Sequence, residues 1–147
     1  MAPLDVPIWR GFLASPPVAF DALHYDVALG GLAGAEVDQQ DPLLPMWANL
    51  LKKRVDVVGH VSDERWIIEV KPVANLEAFG QVVCYEWLYR RFLGGECKTR
   101  KVVVCRRADV DLAGVYAEFG VSVYACAPVP VVGSGGSTAE PGSPLQM

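Results

Sequence analysis

Several familiar signals are missing from this chain of 147 residues. It has only two histidines and four cysteines, and no two cysteines are spaced as a Cys-x-x-Cys pair. The sequence therefore indicates neither a zinc site nor a disulfide framework. We expect the cysteines to be reduced thiols, mostly buried.

Long hydrophobic runs are also missing, although 52% of the residues are hydrophobic. No run approaches the roughly 18 apolar residues that a membrane span needs. The first residues, Met1 to Asp5, lack the basic start and apolar core of a signal peptide. We therefore expect a cytoplasmic protein that does not cross a membrane, with some apolar surface buried against a partner.

An excess of positive charge is missing as well, since the formal net charge is −4. This argues against a general nucleic-acid binder, because neutralisation of phosphates supplies most non-specific affinity. The charges are unevenly distributed, however. Residues 52–107 hold twelve basic and seven acidic residues, a local balance of +5. The middle of the chain can thus form a basic rim around a site.

The length fits one domain, large enough to bury about 70% of its unfolded surface. Composition divides the chain into three parts. Residues 1–22 are an arm rich in proline and aromatic residues, which we expect to dock on this domain or on a neighbour. Residues 23–126 are the domain itself, and residues 127–147 are a flexible tail rich in Gly, Ser and Pro.

The apolar periodicity predicts an α/β fold. We expect a short helix in the arm at 8–14, a strand at 23–29, a hairpin within 54–71, a helix at 74–93, a strand at 99–105, a helix at 109–119 and a strand at 121–126. Residues 30–46 read as a long loop, and 46–51 as a helical turn or the start of a strand. Alternation of strands and helices after the hairpin predicts a parallel portion with right-handed crossovers.

The hairpin is the most informative stretch. Two runs rich in Val and Ile flank a turn at Ser62 and Asp63. A hairpin centred between these two residues places Asp56 directly opposite Glu69. Lys71 follows Glu69 by two residues, the strand period, and so shares its face.

On this register the apolar residues of both strands point to the other side of the sheet. They are Val55, Val57, Ile68 and Val70. Two carboxylates about 4 Å apart repel by roughly 4 kcal/mol at an effective dielectric of about 20, so the pair calls for a cation or a raised pKa. Oxygen ligands suit Mg²⁺ or Mn²⁺, which accept one or two carboxylates together with a substrate phosphate. The predicted chemistry is phosphodiester hydrolysis.

Asp56 followed by a short hairpin and then Glu69-Val70-Lys71 resembles the core motif of the PD-(D/E)xK nuclease superfamily. Gln81 and Tyr85 resemble the Gln-x-x-x-Tyr motif of its RecB-like branch. The resemblance covers residues 25–125 and implies a restriction-endonuclease-like core, a mixed sheet in which helices flank a metal-site hairpin. The superfamily usually has a glutamate on a helix before the first strand, and the sequence shows no clear equivalent.

The resemblance also implies a role for each residue of the motif. Asp56 and Glu69 would hold Mg²⁺ or Mn²⁺, and Lys71 would orient the attacking water or stabilise the phosphorane. Gln81 and Tyr85 would position the DNA. Arg54, at the start of the hairpin, is a further candidate for contact with the substrate.

Each of these residues has a plainer interpretation. Glu69 and Lys71 can be solvated neighbours on one strand face, although an Asp within the apolar strand before them favours a site. Gln81 and Tyr85 share a helical stripe with Leu88 and Phe92, and such a stripe is often core packing. His24 and Asp26 lie in the first predicted strand. These two polar residues can join a metal site or form a solvated face of the sheet.

Two functions from different classes follow. The first is a metal-dependent nuclease that cleaves DNA, and the sequence favours it. The second is a nuclease fold that serves as a structural or assembly subunit, for example a head or tail connector component of a bacteriophage virion. In that case the arm and the tail would hold neighbouring subunits in a homo-oligomer or larger particle.

Overall fold

The structure is a computed structural model that describes residues 1–29, 40, 42 and 53–131. Its helices are α1 (Val6–Ala14), α2 (Leu76–Tyr89) and α3 (Ala113–Glu118). Its strands are β1 (Ala22–Leu29), β2 (Lys53–Val61), β3 (Glu64–Val70), β4 (Val73–Ala74), β5 (Lys98–Cys105), β6 (Arg107–Ala108) and β7 (Val121–Ala125). Short 3₁₀ turns at Pro3–Asp5 and Val110–Leu112 lead into α1 and α3, and a π-helical turn at Arg90–Gly94 follows α2.

Five strands form one mixed sheet in the order β1-β2-β3-β5-β7. The pairs β1–β2 and β2–β3 are antiparallel, whereas β3–β5 and β5–β7 are parallel. The mixed α/β architecture and the parallel portion after the hairpin are therefore confirmed. Beyond the carboxyl ends of β3 and β5, the short strands β4 and β6 pair in parallel as a second, two-stranded sheet.

The hairpin register is the predicted one. Val61 pairs with Glu64 and Val57 pairs with Ile68, so the turn is centred between Ser62 and Asp63. Ser62 has a φ of 52°, the left-handed conformation that a two-residue hairpin turn requires. Both strands have apolar residues that pack on the sheet faces, which fixes the register because a slip of one residue would move all of them.

Helices cover both faces of the sheet. On one face, Ile8, Trp9 and Phe12 of α1 pack against Val57 and Ile68 of the hairpin. On the other face, α2 and α3 cover a core made of Ala74, Ala78, Val82, Val103, Cys105, Tyr116 and Val121. The result is a three-layer domain whose central strands are buried on both sides, as expected for the parallel part of a sheet.

The aromatic arm docks on this domain itself. Trp9 is 4% exposed and Phe12 is 1% exposed, so these side chains belong to the main core. Gly11 is required where α1 passes under the chain after β7, because a Cβ there would lie 2.0 Å from the Ala127 carbonyl oxygen. The amide of Val129 donates to the carbonyl of Pro7, and so the segment after β7 fastens α1 to the sheet.

One apolar residue of the hairpin departs from the expected alternation. The alternation predicts Val55 on the same side as Val57, but Val55 packs with Val58 and Ile67 under α2. The neighbouring strand explains the break, because Asp26 lies opposite Asp56 and has a φ of 52°, which interrupts the regular pleat.

Both ends of α2 depart from the prediction. The helix begins at Leu76 instead of at the predicted residue 74, because Asn75 caps it by accepting a hydrogen bond from the Ala78 amide. At its end the π-helical turn adds a residue to the spacing, so Phe92 leaves the stripe of Tyr85 and Leu88 and is 44% exposed. The predicted single stripe through Phe92 was therefore wrong.

Other predictions have mixed outcomes. Of the four free thiols only Cys105 is buried, and Cys84 is exposed, so the expectation of mostly buried cysteines was wrong. None of the helices in the described part of the chain combines the length and apolar character needed to cross a membrane. The loop predicted at 30–46, the segment 46–51 and most of the tail lie outside the described residues.

Candidate active site

The candidate site lies at the carboxyl end of β3, where β2 and β3 part. The last backbone pair of β2 and β3 is Val57 with Ile68. Beyond it, backbone amides of one strand donate to carboxylate side chains of the other. The Asp56 carboxylate accepts from the amide of Val70 at 2.9 Å, and the Glu69 carboxylate accepts from the amide of Asp56 at 3.2 Å. The predicted meeting of Asp56 and Glu69 is thus present, and the two carboxylates face each other.

Glu69 does not have the environment of a solvated strand residue. It is 3% exposed. Burial, and secondly the negative charge of Asp56, raise the pKa of Glu69 to about 8, against a smaller opposing effect of Lys71. At neutral pH this pair therefore holds a proton or requires a cation, which is the state predicted from the facing carboxylates.

Lys71 lies directly after β3, with its side chain 23% exposed. Its amide donates to the carbonyl of Val104 on β5, which fixes the backbone beside Glu69. Its Nζ lies 3.5 Å from the carboxylate of Glu77 at the start of α2, and Glu77 is largely exposed. An exposed ion pair of this kind contributes little stability, so the ammonium can leave Glu77 at small cost.

A positive charge already contacts this acidic cluster. The amino group of Met1 lies 3.3 Å from the Asp56 carboxylate and also forms an ion pair with Asp26. Burial alone would lower the pKa of this amine, but the two carboxylates raise it overall. The carboxylates of Asp26 and Asp56, on neighbouring strands, thus both lie within ion-pair distance of the same group.

Asp5 is a site residue that the sequence did not reveal. It lies immediately before α1 and is 7% exposed. Burial, followed by the charge of Asp56, raises the pKa of Asp5, while Lys71 lowers it, so all three groups interact. Asp5 is thus an acidic residue at the start of a helix ahead of the first strand. Its only signal is an Asp two residues before a proline at a helix start.

Tyr85 approaches the site from α2, as predicted. Burial, and then the charges of Glu69 and Asp56, raise the pKa of Tyr85, so its phenol stays protonated and can donate a hydrogen bond. Gln81 is one turn earlier on the same helix. Its Oε1 is buried and has no hydrogen-bond partner among the described residues. Arg54 is exposed on β2, and its guanidinium donates to the carbonyl of Asp26 at 3.3 Å.

The donor set can be compared with the needs of a metal. Among the described residues, no group of three or more His, Cys, Asp or Glu side chains is arranged to hold a metal ion. Asp56 and Glu69 supply two carboxylates, and Mg²⁺ commonly binds through one or two carboxylates while it keeps several waters. The facing pair, with its need for positive charge, therefore fits Mg²⁺ or Mn²⁺ better than a metal that requires a full protein cage.

No protein-family model matches this chain, and no curated protein or solved structure matches it either.

Proposed function

We propose that this protein is a metal-dependent nuclease that hydrolyses phosphodiester bonds in DNA. The observation that carries the proposal is the face-to-face pair of the buried Glu69 and the partly buried Asp56 at the end of β3, with Lys71 beside it. A buried carboxyl group that faces a second carboxylate is costly for folding, and strongly raised pKa values such as that of Glu69 concentrate at functional sites.

Asp56 and Glu69 are the residues that would hold Mg²⁺ or Mn²⁺. When bound, such an ion polarises phosphoryl oxygens and lowers the pKa of a coordinated water. The proton that Glu69 holds at neutral pH must leave before its carboxylate can serve as a ligand. Binding of the ion should therefore strengthen as pH rises toward about 8.

The other residues act on the phosphate. Lys71 places an ammonium close to Glu69, where it can stabilise negative charge that develops on the phosphoryl group. The protonated phenol of Tyr85 can donate to a phosphate oxygen, and the amide of Gln81, whose Oε1 lacks a partner among the described residues, can orient the substrate. These roles agree with those implied by the resemblance to the RecB-like branch of the PD-(D/E)xK nucleases.

The direct test is cleavage of plasmid and linear DNA in the presence of Mg²⁺ or Mn²⁺. Glu69→Gln and Asp56→Asn should each reduce cleavage by roughly 10²-fold or more, because each removes a charge that the transition state needs. Glu118→Gln on α3, an exposed position far along the chain from the site, is the matched control and should cleave normally. A wild-type protein that cleaves no DNA with either ion would contradict the proposal.

A structural role in a larger assembly is the second candidate, and one observation favours it. Large apolar side chains are exposed at the end of α2, with Trp87 52%, Phe92 44% and Leu93 55% exposed. They, rather than the buried Trp9 and Phe12 of the arm, would be the anchors for a neighbouring subunit. Light scattering on wild-type protein and Trp87→Ser would test this, since loss of a defined oligomer in the variant is expected only for an assembly protein.

A further inference from the structure

Beside the acidic site, at the same edge of the sheet, lies a polar cavity of about 370 Å³. It is lined by Pro72 and Val73, which follow β3, and by Arg106 and Arg107, which follow β5. The amides of both arginines donate to the Pro72 carbonyl, at 3.0 and 3.3 Å. These hydrogen bonds fix the backbone positions of the two arginines, and they do not involve the side chains.

The two guanidinium groups carry charge that the described part of the chain does not neutralise. Both arginines are exposed, and neither forms an ion pair with a described residue. The nearest acidic residue along the chain, Asp109, accepts a hydrogen bond from the amide of Asp111 at the start of a 3₁₀ turn. Adjacent arginines that line a cavity without an acidic partner have the chemistry of a phosphate site, because the guanidinium group matches phosphate geometry.

The position of this cavity relative to the acidic pair is set by strand pairing. Glu69 lies opposite Val103 on β3 and β5, and Val73 lies opposite Arg107 on β4 and β6, so the cavity lies just beyond the carboxyl ends of β3 and β5. Four Cα–Cα steps of extended chain lead from Glu69 to Val73, a distance of at most roughly 14 Å. A strand of DNA whose scissile phosphate lies at Glu69 can thus reach the cavity with a phosphate a few nucleotides away.

We propose that Arg106 and Arg107 form a subsite for a phosphate of the nucleic-acid strand, next to the acidic pair. The inference rests on the proposed nuclease function and adds where the strand is held. The carboxylates of Asp26 and Asp56 repel a polyanion, and the protein has a net charge of −4, so affinity for the strand must come from a local basic site. The two arginines supply it on the side of the site where Lys71 also lies, just after β3.

Binding, measured separately from cleavage, tests the subsite. The probes are a fluorescent single-stranded DNA 20-mer with and without a 5′-phosphate and the matching duplex, in buffer without divalent metal. Arg106→Ala/Arg107→Ala should weaken binding about tenfold at low salt and reduce the slope of log K against log salt by roughly 0.7–0.9 for each phosphate that the variant no longer neutralises. Loss restricted to the 5′-phosphorylated probe would identify a terminal phosphate, and equal loss on both probes an internal one.

Arg91→Ala/Lys98→Ala is the matched control. It removes two exposed positive charges as well, but from the opposite end of the sheet, at the end of α2 and the start of β5. Arg106→Lys/Arg107→Lys should recover part of the affinity, because lysine keeps the charge and loses the two-pronged hydrogen bonding. Equal weakening in the control, no weakening in the first double variant, or no binding of any probe by wild-type protein would each overturn the inference.

The outcome also separates this inference from the proposed function. If wild-type protein cleaves DNA and Arg106→Ala/Arg107→Ala binds DNA normally, the proposed subsite is wrong and the proposed nuclease activity stands. Wild-type protein that never cleaves, while the same variant selectively loses binding, would leave a phosphate site on a protein that is not a nuclease.

Discussion

Two buried glutamates in this domain have opposite environments. Glu86 on α2 is 9% exposed and Glu69 is 3% exposed. Glu86 accepts hydrogen bonds from Arg90, at 2.6 and 3.2 Å, and from the hydroxyl of Thr99. Burial alone would raise the pKa of Glu86, but these bonds lower it below its ordinary value. Glu69 instead faces the carboxylate of Asp56, and its pKa is raised to about 8.

The difference teaches how to distinguish a structural buried charge from a functional one. Glu86 has its partners within the protein and ties α2 to β5, so its charge is already satisfied. Glu69 accepts one hydrogen bond, from the amide of Asp56, but it also faces the Asp56 carboxylate, so this pair favours a bound proton or cation. A buried carboxyl group whose neighbours raise its pKa, and so favour a bound proton or cation, is the better candidate for a functional group.

The largest expected effect distinguishes Lys71, the cation near Glu69, from Arg90, the cation that binds Glu86. Lys71→Ala should reduce DNA cleavage by roughly 10²–10³-fold, because it removes an electrostatic stabiliser at the reacting phosphate. Arg90→Ala, its counterpart beside Glu86, should lower stability and leave the rate of cleavage by folded protein unchanged. Initial rates of DNA cleavage, measured below the melting temperature of both variants, test this prediction. Equal rates in the two variants would contradict a catalytic role for Lys71.

The next largest effect is the linkage of metal binding to stability. A ligand that binds only the folded protein stabilises it by about 2.7 kcal/mol at a hundredfold excess over its dissociation constant. The melting temperature of wild-type protein and of Glu86→Gln should therefore rise with Mn²⁺ or Mg²⁺, whereas that of Glu69→Gln should not. A rise of the same size in Glu69→Gln would mean that the ion binds elsewhere.

The smallest effect is a difference in how stability depends on pH. Folded protein keeps the proton of Glu69 up to about pH 8, whereas the unfolded chain loses it near 4.5, so the free energy of unfolding falls as pH rises through this window. The lowered pKa of Glu86 acts below pH 4.5, where its stabilising contribution is lost as pH falls. The lowered pKa of His60 adds a slope opposite to that of Glu69 below about pH 6.5.

Denaturant unfolding between pH 3 and about 9 measures these slopes. Glu69→Gln should flatten the curve between about pH 4.5 and 8, and Glu86→Gln should flatten only the acidic limb. Because His60 is the same in all three proteins, its contribution cancels in the comparison. A wild-type curve with the same shape as that of Glu69→Gln would show that Glu69 is ionised in the folded protein at neutral pH.

The register of the hairpin could be predicted because two independent constraints agreed. The turn at Ser62 and Asp63 and the apolar alternation both place Asp56 opposite Glu69. The parallel strands after it followed from the order of strands and helices, since a helix between two strands requires a crossover. The proximity of Tyr85 to the carboxylates followed in turn from helical spacing.

Features that depend on distant contacts could not be predicted. The displacement of Val55 depends on the positive φ of Asp26 on a neighbouring strand, and the spacing within β2 carries no trace of it. Asp5 meets Asp56 only because α1 packs under the hairpin, and no local pattern relates the two. Arg106 and Arg107 did have a signal, because side chains that follow parallel strands gather at one edge of the sheet.

The fastening of α1 by the segment after β7 has a consequence for folding kinetics. Gly11 and Pro7 meet Ala127 and Val129, which are almost the whole described chain away. Contacts of such sequence separation form only after the loop-closure entropy between them is offset by other structure. The hairpin and the parallel strands can assemble locally, so we expect α1 to dock after them. Since Asp5 immediately precedes α1, we expect it to join Asp56 late in folding.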